Sequence, residues 1–236
     1  MTIPILYEDD NILAVDKPSG VLVDVIAAKY PKFILAHRLD KGTSGVLLLA
    51  KNEKAREFLK NQFKNREVKK FYHAIVVGNV KKDHGVINKP IGRSPRDFRR
   101  RLAGRGARGE MREAITEYRV LRRFKAGKRS DLKNSKRSDL EEAFTYLEVY
   151  PKTGRTHQIR VHLKFFNYPV VGDILYNPKG LPLPNLPLCR GRSGGGIPRM
   201  MLHALSIEFK IPSGKMIKVE SPLPKVFNDL LSDRVA

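Results

Sequence analysis

A single cysteine, Cys189, in 236 residues excludes an internal disulfide, and alone it cannot supply the clustered thiolates of a structural zinc site. Uncharged runs are short as well: none approaches the roughly 20 residues that a bilayer-spanning helix needs. The first residues, MTIPILYEDDNILAVDKPSG, have no basic segment and meet three acids by position 10, so they do not read as a signal peptide. No basic amphipathic helix with a broad apolar face stands out, which argues against a membrane surface as partner. A cytoplasmic protein with no membrane contact is expected.

Acids are scarce beside bases. The chain has 24 Asp and Glu against 46 Lys and Arg, a formal charge of +22. Such a charge repels itself in a compact state, and a polyanionic partner, nucleic acid first, is the usual reason to carry it. A DNA-binding module is disfavoured because no recognition-helix or zinc-finger pattern is present. The same positive surface makes a monomer the expected state.

What is present suffices for one full core, since 41% of the residues are hydrophobic and a single domain spanning 1–236 is a common size when strands dominate. Strand-like apolar stretches lie at 3–7, 11–16, 71–77, 114–124, 143–149 and 206–211. Residues 46–50 form a continuous apolar run after a Gly42-Thr43-Ser44-Gly45 turn, the pattern of a buried strand. Asn52 reads as the N-cap of a helix whose inner stripe is Ala55, Phe58, Leu59 and Phe63. A second helix is expected over 156–166, with Ile159, Leu163 and Phe166 inward. Strands outnumber helices and most connections are short. The fold class is therefore α+β, a mixed, largely antiparallel sheet flanked by a few helices and long loops.

Three segments break this regularity. Residues 92–112 hold eight Arg and no Lys against Asp97 and Glu110, a net of +6, and read as an exposed, Gly-containing loop. Residues 125–142 repeat Lys-Arg-Ser-Asp-Leu twice, too briefly for a repeat fold, and read as an expanded hairpin loop. Residues 177–199 are rich in Pro and Gly, a long surface loop.

The stretch His37-Arg38-Leu39-Asp40-Lys41-Gly42-Thr43-Ser44-Gly45 gathers His, Arg and Asp just before a glycine-flanked turn into the buried strand. Polar residues concentrated at the mouth of a sheet are where clefts form. Composition alone also allows a plain surface loop in which Asp40 caps a turn and Arg38 is solvated. HRLDKGTSGVLLLAK at 37–51 resembles the signature of the RluA-type pseudouridine synthases. Lys70-Phe71-Tyr72-His73-Ala74 resembles that family's K-x-Y-x-A element, and GRTHQIRVHL at 154–163 supplies a third match. Shorter echoes are Pro90-Ile91-Gly92-Arg93, Thr116-Glu117-Tyr118 and Leu202-His203-Ala204.

The resemblance implies the pseudouridine synthase catalytic fold and the isomerisation of specific uridines in ribosomal or transfer RNA, with no cofactor and no metal. It implies that Asp40 is the catalytic aspartate, that Tyr72 packs on the target uracil with a part in proton removal, and that Arg160 holds the Asp40 carboxylate. It implies that Arg38 fills the gap left by an extruded base; read without it, Arg38 is equally a phosphate contact. Lys70 and Arg155 are expected as phosphate contacts or structural pairs, and Arg93, Arg99, Arg100 and Arg101 as RNA contacts on a segment placed where the family pinches its RNA. Many relatives carry a separate N-terminal RNA-binding module, and none is expected here. His157 and His162, five apart, are poorly spaced for a shared metal site; His37 and His203 read as structural. The rival reading is a non-catalytic RNA-binding or ribosome-associated protein, which the charge alone explains equally well.

Overall fold

The computed structural model describes residues 2–125, 143–178 and 199–232. Its strands are β1 (Ile5–Glu8), β2 (Ile12–Lys17), β3 (Ile34–Leu35), β4 (Ser44–Ala50), β5 (Lys69–Val77), β6 (His84–Asn88), β7 (Ile91–Arg93), β8 (Arg101–Ala103), β9 (Arg108–Arg112), β10 (Ile115–Lys125), β11 (Ala143–Pro151), β12 (Leu202–Lys210) and β13 (Met216–Glu220). The helices are α1 (Val23–Lys29), α2 (Glu53–Lys64), α3 (Gln158–Phe165) and α4 (Lys225–Ser232). Ten strands form one sheet along the path β1-β2-β4-β12-β5-β11-β10-β6, with β13 beside β12 and β3 beside β4. Every pairing is antiparallel except that of β4 with β12. The expected α+β class, with a mixed and largely antiparallel sheet, is the class observed.

Strand β4 is buried along its whole length because both faces of the sheet are covered there. Leu47 and Leu49 pack with Val23 and Ile26 of α1 on one side. Val46 and Leu48 pack with Leu59 of α2 on the other. A strand covered twice reads as a continuous apolar run rather than an alternating one. Asn52 caps α2 as its position demands, its side chain accepting a hydrogen bond from the Ala55 N–H at 2.8 Å. Gln62 joins the inner face of that helix, its amide bonding the backbone N–H and C=O of Lys210.

Several expectations change. Helices α1 and α4 and strands β3, β6 and β13 are elements that the sequence pattern did not announce. Helix α3 starts two residues later than expected, and Phe166, expected inward, is its C-cap and 38% exposed. The first six residues of α3 are all buried, so the helix is wrapped on every side and Phe166 falls just beyond the covered part.

The Arg-rich segment is also not a loop. It folds into a second, three-stranded antiparallel sheet in the order β8-β7-β9. Ile91 and Ala103 turn inward against Ala114, Val161 and Tyr176, and the arginines occupy most of the outward positions. Strands with one or two apolar anchors among so many cations carry no period-2 signal. Residues 126–142, with both copies of the duplicated motif, and residues 179–198 lie outside the described residues.

Candidate active site

Asp40 sits on a short turn that is fixed from three directions. Leu39, its neighbour, is buried among the apolar residues of β2, β4 and α1. The Thr43 N–H donates to the Asp40 carbonyl at 3.0 Å, closing the turn that leads into β4. From the preceding Lys-Pro-Ser-Gly turn, the Ser19 hydroxyl donates to the Gly42 carbonyl at 2.6 Å and the Gly20 N–H to the Lys41 carbonyl at 2.8 Å.

Lys17 completes that clamp. Its side chain is fully buried and its ammonium donates to the carbonyls of Pro18, Val21 and Lys41 at 3.0, 2.7 and 3.2 Å. Burial brings its pKa down to about 8, against the pull of the nearby Asp40 charge. Gly45 ends the motif at a φ of +109°, and a Cβ there would lie 2.1 Å from the Ala204 carbonyl oxygen. Only glycine lets β4 and β12 approach so closely at the one parallel crossing of the sheet.

The Asp40 carboxylate meets Arg160 from the first turn of α3, Nη1 to Oδ2 at 2.8 Å. Arg160 is itself held by Asp173, Nε to Oδ2 at 2.7 Å and Nη2 to Oδ1 at 2.9 Å, and the guanidinium lies 5.0 Å from the centre of the Tyr176 ring. Asp173 is buried and also accepts the backbone N–H groups of Leu175 and Tyr176. Burial alone would make Arg160 easier to deprotonate, but two carboxylates outweigh it and drive its pKa well above the ordinary value.

On the other side of Asp40, His157 Nε2 stands 3.9 Å from Oδ1. His157 holds the left-handed conformation, φ 58°, at the N-cap position of α3, and its ring makes no capping bond. Nδ1 faces the Tyr176 hydroxyl at 2.9 Å, and that hydroxyl accepts the Arg101 N–H at 2.8 Å. Burial lowers the pKa of His157 despite the attraction of Asp40. A neutral ring taking the Tyr176 proton at Nδ1 carries its own proton on Nε2, toward Asp40.

These groups open onto a cavity of about 580 Å³ whose lining includes Arg38, Asp40, Lys70, Tyr72, Arg155 and Arg160. The sequence-predicted trio Asp40, Tyr72 and Arg160 is therefore brought together from three separate parts of the chain. Tyr72 projects from β5; burial and then the Asp40 charge raise its pKa, so the phenolate is the disfavoured form. Two positions back on the same strand face, Lys70 donates to the Thr153 carbonyl at 3.1 Å, and burial with the nearby Arg155 charge brings its pKa down to about 8. Arg38 is exposed at the rim. Arg155 donates to the Glu113 carbonyl at 2.9 Å.

The remaining predicted RNA contacts lie on the small sheet and its turn. Arg93 and Arg101 line a second cavity of about 570 Å³, which shares Gly154 and Arg155 with the first. Arg99 binds Asp97 through two hydrogen bonds of 3.0 Å, and Arg100 lies 3.6 Å from the same carboxylate. His37 accepts the Leu48 N–H at 3.0 Å, and His203 bonds Ser44 at 2.8 Å; burial lowers both pKa values to about 4.

Asp173, Tyr176 and Lys17 are the site residues that sequence reasoning missed. The available signal for Asp173 was a lone acid inside the apolar run YPVVGDILY of a strongly basic chain. Among the described residues, no group of three or more His, Cys, Asp or Glu is placed to hold a metal ion, and no helix is long and apolar enough to cross a membrane.

The family model described as RNA pseudouridylate synthase matches residues 11–165. The ribosomal large subunit pseudouridine synthase D of Xanthomonas campestris is 36% identical, the match covering 97% of this chain and 68% of that one. An uncharacterised RNA pseudouridine synthase of Bacillus subtilis is 31% identical over 99% of this chain and 73% of its own. Among solved structures, human RNA pseudouridylate synthase domain containing 1 superposes with a TM-score of 0.73 at 27% identity, covering 95% of this chain and 86% of that one.

Proposed function

The chain belongs to the RNA pseudouridylate synthase family and isomerises uridine to pseudouridine in RNA; on that premise we propose that Asp40 is its catalytic residue, working without a cofactor. The observation that carries the assignment is the Asp40 carboxylate, held by Arg160 at 2.8 Å and open to a cavity that Tyr72 also lines. The reaction breaks the N-glycosidic bond, turns the uracil and rejoins it through C5. The hydrogen leaving C5 is balanced by one gained at N1, so nothing is oxidised and no group is imported. An oriented, ionised carboxylate that attacks the ribose or uracil, or acts as a base beside them, is the chemical requirement.

In this reading Arg160 favours the charged form of Asp40 and fixes its direction. Tyr72 stacks on the uracil through its face and keeps its hydroxyl protonated. Arg38, exposed at the rim, fills in this reading the gap left by an extruded nucleotide, whose unstacking costs about a few kcal/mol. Lys70, Arg155, Arg93 and Arg101 meet phosphates around the two cavities. The protein acts as a cytoplasmic monomer. Structured ribosomal or transfer RNA is the substrate class, and the relatives named as large-subunit synthases make large-subunit ribosomal RNA the first to test.

The decisive experiment is incubation of wild type and Asp40→Asn with unmodified ribosomal and transfer RNA, followed by carbodiimide mapping of pseudouridine. Wild type should modify discrete positions, and the amide variant should lose at least about a thousandfold in turnover while binding RNA within about tenfold of wild type. A variant turning over within tenfold of wild type removes Asp40 from the chemistry. A wild type that binds these RNAs and modifies none returns the non-catalytic reading.

A further inference from the structure

Phe98 is 86% exposed, the most exposed large apolar side chain among the described residues. A scattered exposed apolar residue needs no explanation. Phe98 differs in its setting. It lies on the turn that joins β7 to β8, just beyond their last pair, Arg93 opposite Arg101, and its chain neighbours include Arg96, Arg99, Arg100 and Arg101.

The turn is ordered without help from the ring. Ser94 N–H donates to the Arg100 carbonyl at 3.2 Å, Arg100 N–H to the Asp97 carbonyl at 2.9 Å, and Asp97 accepts the Arg99 N–H at 3.0 Å. Arg101 Nη1 grips the Phe98 carbonyl at 3.0 Å. The backbone is thus held while the ring is offered to solvent among cations.

The adjoining cavity of about 570 Å³ has matching chemistry. It is lined by Arg93, Arg101, Arg108, Arg112 and Arg155 with a single acid, Glu110, which pairs with Arg112. Among the described residues, no carboxylate lies within ion-pair distance of Arg93, Arg101, Arg108 or Arg155. Gly154 and Arg155 line both this cavity and the catalytic one, so the two cavities adjoin. Guanidiniums that track a backbone beside an open aromatic face are the combination that binds single strands, whose bases are free to stack. A duplex offers the phosphates and withholds the base faces.

We propose that the small sheet binds an unpaired stretch of RNA flanking the target uridine, its phosphates in the arginine-lined cavity and one of its bases stacked on Phe98. This rests on reading the protein as an RNA uridine isomerase and specifies the form of its substrate: a target uridine with single-stranded RNA beside it.

The chain contains no tryptophan, so Phe98→Trp carries one indole and reports on this position alone. The probes are an oligoadenylate of about twelve nucleotides and the same strand annealed to oligouridylate. Saturating single strand should quench the indole emission by about half, and saturating duplex should leave it within about a tenth of the free value. Phe98→Ala should bind the single strand at least about fivefold more weakly than wild type and the duplex less than twofold more weakly. Equal binding of the single strand by wild type and Phe98→Ala, or an indole indifferent to it, overturns the proposal. Isomerisation of ribosomal or transfer RNA by wild type is measured in parallel. If it persists when the stacking tests fail, only the Phe98 site falls; if it is absent, the catalytic reading falls.

Discussion

Asp173 takes Nε and Nη2 of Arg160, at 2.7 and 2.9 Å, and leaves Nη1 to meet Asp40 at 2.8 Å. One guanidinium thus serves two carboxylates, and the buried one sets the plane in which it meets the other. The rigid fork of arginine permits this; a lysine ammonium has no second edge. Asp173 therefore orients Arg160 toward Asp40.

Asp173→Asn should lower single-turnover isomerisation by about 10- to 100-fold while RNA affinity stays within about threefold. The amide keeps the shape and gives up one charge-assisted edge. Arg160→Met should lower activity at least as much, and it leaves the Asp173 carboxylate buried and unpaired, a situation that costs about 3–5 kcal/mol. The double variant Arg160→Met/Asp173→Asn should then melt higher than Arg160→Met alone. A double variant that melts lower shows that the two side chains do not stabilise each other in this way.

Tyr72 divides stacking from proton transfer. Burial and the Asp40 charge both raise its pKa, so a phenolate base is not available near neutrality. Tyr72→Phe should keep the alkaline limb of its pH–rate profile in place and retain rates within about tenfold, whereas Tyr72→Ala, which removes the stacking face, should lose at least about a hundredfold. A Phe variant as inactive as the Ala variant assigns the hydroxyl an essential proton.

Much of this was legible before the fold. The His37–Gly45 stretch, the Lys70–Ala74 element and Arg160 all stand in motifs, and β4 and α2 announce themselves through a doubly covered apolar run and an Asn cap. The small sheet was not legible, because Ile91 and Ala103 are isolated anchors among eight arginines and strand alternation cannot be counted over two positions. Nor was Asp173: its meaning comes from a bidentate contact with a helix 13 residues earlier, and no periodicity in sequence encodes that pairing. Lys17 hid inside an ordinary turn signature. Its burial follows from the fold of the neighbouring turn around it, which supplies the Lys41 carbonyl from 24 residues away.

Lys70 gives a pH test with a definite sign. Its pKa is brought down to about 8 by burial and by Arg155, so the cavity loses a cation as the pH rises through that value. RNA carries its negative charge throughout this range, and affinity should fall between pH 7 and 9. Binding RNA opposes the deprotonation, moving the midpoint upward in the complex. Lys70→Met should bind more weakly at pH 7 and show a clearly shallower decline toward pH 9. A decline of the same steepness in the variant places the titrating group elsewhere.

The arginines of the small sheet should divide by their partners. Each phosphate contact that releases counterions steepens the fall of log affinity with log salt by about 0.7–0.9. Arg93 and Arg108 face the second cavity with no carboxylate in ion-pair range, so Arg93→Ala/Arg108→Ala should flatten the slope by about 1.4–1.8. Arg99, Arg100 and Arg101 are three cations, but Asp97 binds Arg99 through two hydrogen bonds and lies 3.6 Å from Arg100. Their combined field at the RNA is closer to two charges than to three. The triple alanine variant should therefore flatten the slope by about two contacts' worth, and a further Asp97→Ala in that background should steepen it again by relieving a phosphate of an uncompensated acid. Fluorescence titrations of one RNA between about 50 and 300 mM potassium chloride measure all four slopes. A triple variant that flattens by three full contacts means that RNA displaces Asp97 from Arg99 on binding. An unchanged slope in both variants removes the small sheet from the RNA interface.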